Sequence, residues 1–263
     1  MQKPTSVVVM PTLRRTELLA LSLEALSLTR RDSDLDVRIF LDHTNEPRLD
    51  ATRLSETEFV RDRYFPTAEI FHANNHVLTP GGCWNILQSL KAGYETGAEH
   101  IFFCEEDVLV TPDFFERHLE LQASGDYFVT SGRKLAYFDD TFYSNPGTCY
   151  RREKLAHVIP HICDQYFVNP KAYLEQKFPN MDDAGLLDDG MVRRVMRSVG
   201  GKAKCAVPRI ASHVGFHYYG KMQPYKNEGR LEDRIAWIRE FLSDIPARKA
   251  ADPRYIGDLE ELE

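Results

Sequence analysis

The sequence has few cysteines and no long apolar run. Its five cysteines are odd in number and form no CxxC pair, which favours reduced thiols in a cytoplasmic protein over a disulfide framework or a cysteine metal site. No apolar stretch approaches the length of a membrane span, and the residues before Val7 lead into a run too short for a signal peptide. We therefore expect a cytoplasmic protein with no membrane span.

Net positive charge is also lacking, because the formal net charge is -7. That balance argues against broad electrostatic capture of nucleic acid, although Arg133–Lys134 and the segment Lys221–Arg230 leave a local basic groove open. A Gly-rich loop carrying Lys or Arg, of the kind that holds a triphosphate, is missing after the first apolar run. The hydrophobic content of 43% and the charged content of 28% are ordinary for a globular protein of 263 residues.

Short apolar runs alternate with helical patterns along the first half of the chain. Such runs are typical of buried strands, and the alternation predicts a mostly parallel sheet covered by helices on both faces, a three-layer α/β/α sandwich. The predicted strands are Val7–Met10, Val37–Leu41, Ala68–His72, Ile101–Cys104 and Tyr127–Ser131, followed by short strands at Thr148–Arg151 and Lys204–Pro208.

Three adjacent carboxylates, Glu105, Glu106 and Asp107, follow the apolar run Ile101–Cys104, and apolar residues return at Val108. Crowded carboxylates repel one another unless a positive charge lies among them. A hard divalent cation bound to phosphate oxygens would supply that charge. The alternative is a solvated acidic loop at the end of a strand.

A second acidic pair, Asp188 and Asp189, begins a predicted helix whose apolar face carries Met191 and Val195. The positive end of a helix favours ionised carboxylates, so the pair is explained equally well as stabilising helix acids or as catalytic groups. Downstream, His213 and His217 are four residues apart in a segment rich in Gly and Tyr, and they are candidates for binding a metal or a phosphate.

In these features the chain resembles nucleotide-sugar glycosyltransferases of the GT-A fold over roughly residues 5–220. The Leu-rich opening Val7–Leu28 is similar to that of the inverting family 2. The most specific local likeness is to the N-acetylglucosaminyltransferase I type, whose acidic motif and following Pro-Asp-Phe-Phe-Glu segment resemble Glu105–Asp107 and Pro112–Glu116. Its downstream Asp-Asp helix and the stretch after it resemble Asp188–Asp189 and Val207–Arg209.

The resemblance implies a single GT-A-like domain, with a nucleotide-sugar half at 5–131, an acceptor half at 132–245 and a polar tail at 246–263. It implies an inverting transfer from a nucleoside-diphosphate sugar, by default a UDP-sugar, to an acceptor hydroxyl, with Asp189 of the Asp188–Asp189 pair as general base. Mn²⁺ or Mg²⁺ would be held by Asp107 with His213 or His217. The implied donor contacts are Pro11, Thr12, Arg15, Asp42, Asn75, Glu105, Glu106 and Lys221, with Asp42 facing the nucleobase and Glu106 the ribose or a metal-bound water.

The sequence departs from the family pattern at Glu106, where Asp is commoner, and at Asp42–Asn45, where the family has an Asp-Asp-Gly-Ser type of turn. The competing interpretations are a sugar nucleotidyltransferase, a non-catalytic nucleotide- or sugar-binding module and, more distantly, a metal-dependent hydrolase. The acceptor stays open among a glycan, a small molecule, a protein and a modified nucleic-acid base.

Overall fold

A computed structural model describes residues 5–12, 15–29, 35–43, 47–72, 82–134, 140–141, 145–181, 187–215 and 229–244. Their main feature is a central seven-stranded sheet with the order β3-β2-β1-β4-β7-β6-β8. The strands are β1 Ser6–Thr12, β2 Asp36–Leu41, β3 Glu69–His72, β4 His100–Phe103, β6 Val129–Ser131, β7 Thr148–Arg151 and β8 Ala203–Cys205; β5 Val108–Val110 and β9 Ala211–His213 form a separate two-stranded sheet.

The sheet is mostly parallel, as the sequence predicts. Strands β1, β2, β3 and β4 run parallel, and so do β6 and β8, whereas β7 is antiparallel to both β4 and β6. Chain order reverses direction on either side of β1, so β2 and β4 both lie beside it. Ligands of open α/β sheets bind at the carboxyl ends of the strands next to such a switch point.

Helices cover both faces of this sheet. They are α1 Thr16–Ser27, α2 Pro47–Tyr64, α3 Cys83–Glu95, α4 Phe114–Ala123, α5 Arg152–Leu155, α6 Asp164–Val168, α7 Pro170–Lys177, α8 Asp188–Ser198 and α9 Leu231–Ser243, with a 3-10 turn at Ile159–His161. The structure thus confirms the predicted α/β sandwich with a mostly parallel sheet.

The two faces of β1 explain why the layers form. Val7 and Val9 point into a core shared with α3 and α8, whereas Val8 and Met10 point into a core shared with α1 and α4. Successive side chains of a strand alternate between faces, so a continuous apolar run is what a strand covered on both sides requires. Helix α9 packs on the outside of α1 through Ile238.

Several predicted boundaries moved. The first strand continues through Pro11 to Thr12, and after β5 helix α4 begins at Phe114. Thr111 Oγ1 donates a hydrogen bond to the Asp113 carboxylate (2.6 Å), which sits just before the helix. Strands β5 and β9 are absent from the sequence prediction. Within the described ranges, no helix combines the length and apolarity that crossing a membrane requires.

Candidate functional site

The site lies at the carboxyl ends of β1, β2 and β4. The backbone holds these ends together beyond the sheet itself, because Asp42 N–H donates to Thr12 O (3.0 Å) and Cys104 N–H donates to Val9 O (3.1 Å). The acidic triplet follows directly after β4, so sheet topology alone brings it beside the exit of β1.

The small sheet places His213 against the triplet. Val108 of β5 pairs with His213 of β9, and Val214 N–H donates to Asp107 O (2.9 Å). As a result, His213 Nε2 lies 3.1 Å from Asp107 Oδ1, and Asp107 is fully buried. Although burial raises the pKa of Asp107, the neighbouring His213 and Arg15 bring it below the ordinary value.

Gly215 makes this close approach possible. A Cβ at position 215 would lie 1.9 Å from Asp107 Oδ2, a distance that no real pair of such atoms adopts. The backbone after β9 therefore passes directly over the Asp107 carboxylate. Only a glycine at position 215 leaves that carboxylate in place.

Arg15 occupies the other side of the triplet. Its Nε and one terminal nitrogen donate to Glu106 Oε1 (3.0 and 2.7 Å), and the same terminal nitrogen lies 3.0 Å from Asp107 Oδ2. Arg15 and Glu106 are 7% and 3% exposed, and Ser22 Oγ donates to Glu106 O (2.7 Å). Arg15 and Glu106, both expected to contact the donor, are thus buried against each other, and their donor contacts remain predictions.

Glu105, Asp107 and His213 have one ligand atom each within 4.8 Å of the others. Two carboxylate oxygens and an imidazole nitrogen suit Mn²⁺ and are compatible with Mg²⁺ completed by water and phosphate oxygens. Burial first, and then Asp107 and the other nearby acids, raise the pKa of Glu105 well above its ordinary value. A carboxyl in that setting ionises readily only beside an added positive charge, so the donor set and its electrostatics fit a divalent cation.

The second acidic pair, Asp188 and Asp189, lies in the first turn of α8. Asp188 is buried and its Oδ2 accepts a hydrogen bond from Asn145 Nδ2 (3.2 Å), while Asn145 Oδ1 accepts from Tyr150 O–H (2.7 Å). Burial, with a contribution from Asp189, raises the pKa of Asp188 to about 7. Asp188 is therefore held by a neutral amide, which Tyr150 holds in turn.

Asp189 is more open than Asp188, and its Oδ1 has no hydrogen-bond partner among the described residues. Burial raises the pKa of Asp189, and the neighbouring Arg193, His213 and Arg133 oppose that rise. Both acids of the pair also raise the pKa of Glu105. The structure thus brings together Glu105, Asp107, His213 and the Asp188–Asp189 pair.

At the far side of the site, Asp42 lines a cleft of about 150 Å³ at the ends of β2 and β3. Its carboxylate accepts a hydrogen bond from His43 N–H (2.8 Å). Asn85 Nδ2 donates to Phe40 O (2.7 Å) and Thr12 O (3.3 Å), so it ties β1 to β2 rather than bonding within its own helix. Pro11 and Thr12 are the buried last residues of β1.

Three predicted site residues, Asn75, His217 and Lys221, lie outside the described residues. Conversely, Asn145 and Gly215 were not among the predicted site residues. Asn145 belongs to an Asn-Pro-Gly turn, and Gly215 follows His213 by two positions. These are weak signals, because glycines and turn residues are common beside strand ends for purely local reasons.

No protein-family model matches this chain, and no curated protein matches it. Among solved structures, it is similar to the mannosyltransferase PcManGT from Pyrobaculum calidifontis in complex with GDP-Man and Mn²⁺, with 14% identity, a TM-score of 0.51, and coverage of 78% of this chain and 55% of that one. It is also similar to residues 1–349 of TarS from S. aureus (12% identity, TM-score 0.46, coverage of 79% and 59%). A cytidylyltransferase from Leptospira borgpetersenii matches over 92% and 97% of the two chains, with 13% identity and a TM-score of 0.46.

The similarity to the mannosyltransferase, with the strand order described above, defines the fold as GT-A, the fold of nucleotide-sugar glycosyltransferases. At such low identity the likeness extends to the fold alone. This chain spans a little over half the length of the mannosyltransferase and TarS chains. The finer likeness to the N-acetylglucosaminyltransferase I type stays a prediction.

Proposed function

We propose that this protein is a metal-dependent, inverting glycosyltransferase that moves a sugar from a nucleoside-diphosphate sugar to an acceptor hydroxyl. The observation that carries the proposal is the convergence of two acidic groups from distant parts of the chain. Glu105 and Asp107 share a ligand cluster with His213. Asp188, the neighbour of Asp189, is hydrogen-bonded to Asn145, and Gly147 of the same turn bonds to Phe103 at the end of β4, just before the triplet. A metal-bound diphosphate and a general base on the far side of a sugar require that arrangement.

The donor would lie across the carboxyl ends of β1, β2 and β4. In this proposal the nucleobase enters the cleft beside Asp42, and the diphosphate lies against Glu105, Asp107 and His213. A uridine base is the expectation from the family resemblance, whereas the mannosyltransferase of the same fold was solved with GDP-Man. Only measurement distinguishes these bases.

Glu105, Asp107 and His213 would hold Mn²⁺ or Mg²⁺, which neutralises the charge that grows on a departing nucleoside diphosphate. The residues of the chain supply the rest. Asp189 accepts the proton of the acceptor hydroxyl, a contribution typically of about 10²–10⁴-fold. Asp188, which is hydrogen-bonded to Asn145, fixes the start of α8 and therefore the position of Asp189.

The raised pKa of Asp189 suits this role, because a base works best when its pKa lies near the working pH. A single displacement with inversion follows, since the base and the leaving diphosphate act on opposite sides of the sugar. The acceptor is proposed only as a hydroxyl; a glycan, a small molecule, a protein and a modified nucleic-acid base all provide one.

The test is a product assay. The protein is incubated with UDP- and GDP-sugars and Mn²⁺, and released nucleoside diphosphate is measured, since transfer to acceptor or to water yields it. We expect release with at least one donor, loss of release in Asp107→Asn, and normal release in the control Asp126→Asn, whose side chain is 77% exposed and paired with Lys154.

Two outcomes would contradict the proposal. Pyrophosphate formed from a nucleoside triphosphate and a sugar phosphate would identify a nucleotidyltransferase. The other outcome has two parts: the unaltered protein releases no nucleoside diphosphate under any condition, and donor binding survives both Asp107→Asn and Asp189→Asn. Together these results would identify a non-catalytic binding module.

A further inference from the structure

The three carboxylates of the triplet do not share one environment. Glu106 is held by two hydrogen bonds from Arg15 and is absent from the ligand cluster, which contains Glu105, Asp107 and His213. Asp107 lies between the two groups, with Arg15 at Oδ2 and His213 at Oδ1. The triplet is therefore divided between a guanidinium and a candidate metal position.

This division determines the net charge of the triplet. When all three carboxylates are ionised, Arg15 cancels one negative charge and leaves two on the triplet. Isolated charges are very costly where Arg15, Glu106 and Asp107 are nearly inaccessible to water. The charge that remains equals that of one divalent cation.

We infer that Arg15 is an internal counter-ion of the triplet: it holds Glu106 away from the metal and sets the residual charge of the site to match a single divalent ion. Arg15 is a positioning residue in this role, because it acts through Glu106 and Asp107. This inference rests on the proposed metal site and assigns to Arg15 a function other than the donor contact expected from its sequence position.

The local backbone supports such a fixed role. Arg15 directly precedes α1, and its carbonyl accepts hydrogen bonds from Leu18 N–H and Leu19 N–H (both 3.0 Å). Ser22, one turn further along α1, donates to the backbone of Glu106. Helix α1 therefore fixes both the guanidinium and the loop that the guanidinium neutralises.

The experiment measures Mn²⁺ binding, by the loss of the free-ion electron paramagnetic resonance signal, and melting in EDTA. In Arg15→Gln the dissociation constant for Mn²⁺ should fall about tenfold or more, because the variant removes a positive charge that contacts Asp107 of the ligand cluster and repels a divalent ion. Its melting temperature in EDTA should fall by about 10 °C, since a buried acid loses its partner.

The double variant Arg15→Gln/Glu106→Gln restores the charge balance. Its Mn²⁺ dissociation constant should return to within about threefold of the unaltered protein, and most of the melting temperature in EDTA should be recovered. Arg15→Lys keeps the charge and should keep the metal affinity. Arg38→Gln is the matched control, because Arg38 pairs with Asp36 at the opposite end of the sheet.

An unchanged or weakened Mn²⁺ affinity in Arg15→Gln would overturn the inference, and so would a double variant that fails to restore it. If Arg15→Gln does not fold, Glu106→Gln alone decides: its affinity should fall about tenfold although Glu106 is no metal ligand, and an unchanged affinity overturns the inference. If the unaltered protein binds no Mn²⁺, the proposed metal site fails, and the melting data in EDTA alone then test Arg15 as counter-ion.

Discussion

Neighbouring acids of this chain have different surroundings at the scale of single residues. Asp188 is buried and hydrogen-bonded to Asn145, whereas Asp189 is more open and has an unpartnered Oδ1 within the described structure. Adjacent helix residues differ in direction by about 100°, so one can anchor the helix while the next faces the site. That difference favours Asp189 over Asp188 as the base.

Asp189→Asn should lower turnover by about 10²–10⁴-fold and leave donor affinity nearly unchanged, because the amide keeps the shape but cannot accept a proton. Steady-state rates and donor titrations of the same preparation check this. Comparable losses of rate and of donor binding would show that Asp189 holds the donor rather than the acceptor proton.

Gly215→Ala tests the close approach over Asp107. The added Cβ has no room beside Asp107 Oδ2, so the carboxylate must move, and Mn²⁺ affinity should weaken by about tenfold or more. Gly125→Ala is the control, since the Cβ there meets only the ring of Tyr127. Normal Mn²⁺ binding in Gly215→Ala would mean that Asp107 is not a ligand.

The acidic residues stand out in the sequence because they interrupt apolar runs, and their roles in a site stay predictions. Their partners do not stand out. Arg15 lies 91 residues before Glu106, and nothing in either local sequence indicates the pair. Likewise, Asn145 reaches Asp188 only because the chain returns to the same sheet edge.

At the scale of elements, a buried ion pair connects α9, the last described helix, to α1, the first. Arg234 of α9 lies against Glu17 of α1 and Glu56 of α2, and Glu17 is fully buried. Burial raises the pKa of Glu17, although the nearby arginines Arg234 and Arg53 oppose that rise. Arg239 and Glu24 form a second ion pair further along the same two helices.

Arg234→Gln should destabilise the protein by about 3–5 kcal/mol at neutral pH, because it removes from a buried carboxylate the larger of the two arginine charges that act on it. A carboxyl whose pKa is raised on folding costs stability only above its unfolded pKa of about 4.3, so the deficit should shrink as pH falls toward 4. Urea unfolding at pH 7.5 and pH 4 measures both values. Arg230→Gln, at a side chain that is 79% exposed, is the control.

A deficit that is the same at both pH values would contradict this account and assign the loss to packing of the Arg234 stem. The buried strands with continuous apolar runs were the easiest elements to predict: β2 was expected at Val37–Leu41 and runs from Asp36 to Leu41. Strands β5 and β9 were missed because each has only three residues and because pairing partners so far apart are invisible locally.

At the scale of the whole molecule, the alternation of apolar runs and helices was enough to predict a mostly parallel α/β sandwich. The antiparallel insertion of β7 between β4 and β6 was not predictable, since a four-residue strand carries no directional signal. The site depends on that topology. Because β7 runs antiparallel to β4, the residues just before β7, among them Asn145, lie at the carboxyl end of β4. The division into 5–131, 132–245 and a tail stays a prediction.

The most direct test of the metal-diphosphate site at the triplet is calorimetry. The protein is titrated with its nucleoside-diphosphate sugar, first with Mn²⁺ present and then with EDTA. We expect the donor to bind in Mn²⁺ and its binding to weaken by at least about tenfold in EDTA and in Asp107→Asn, because Asp107 acts on the diphosphate through the cation. Full donor affinity in EDTA, unchanged by Asp107→Asn, would contradict the assignment of the triplet as a metal-diphosphate site.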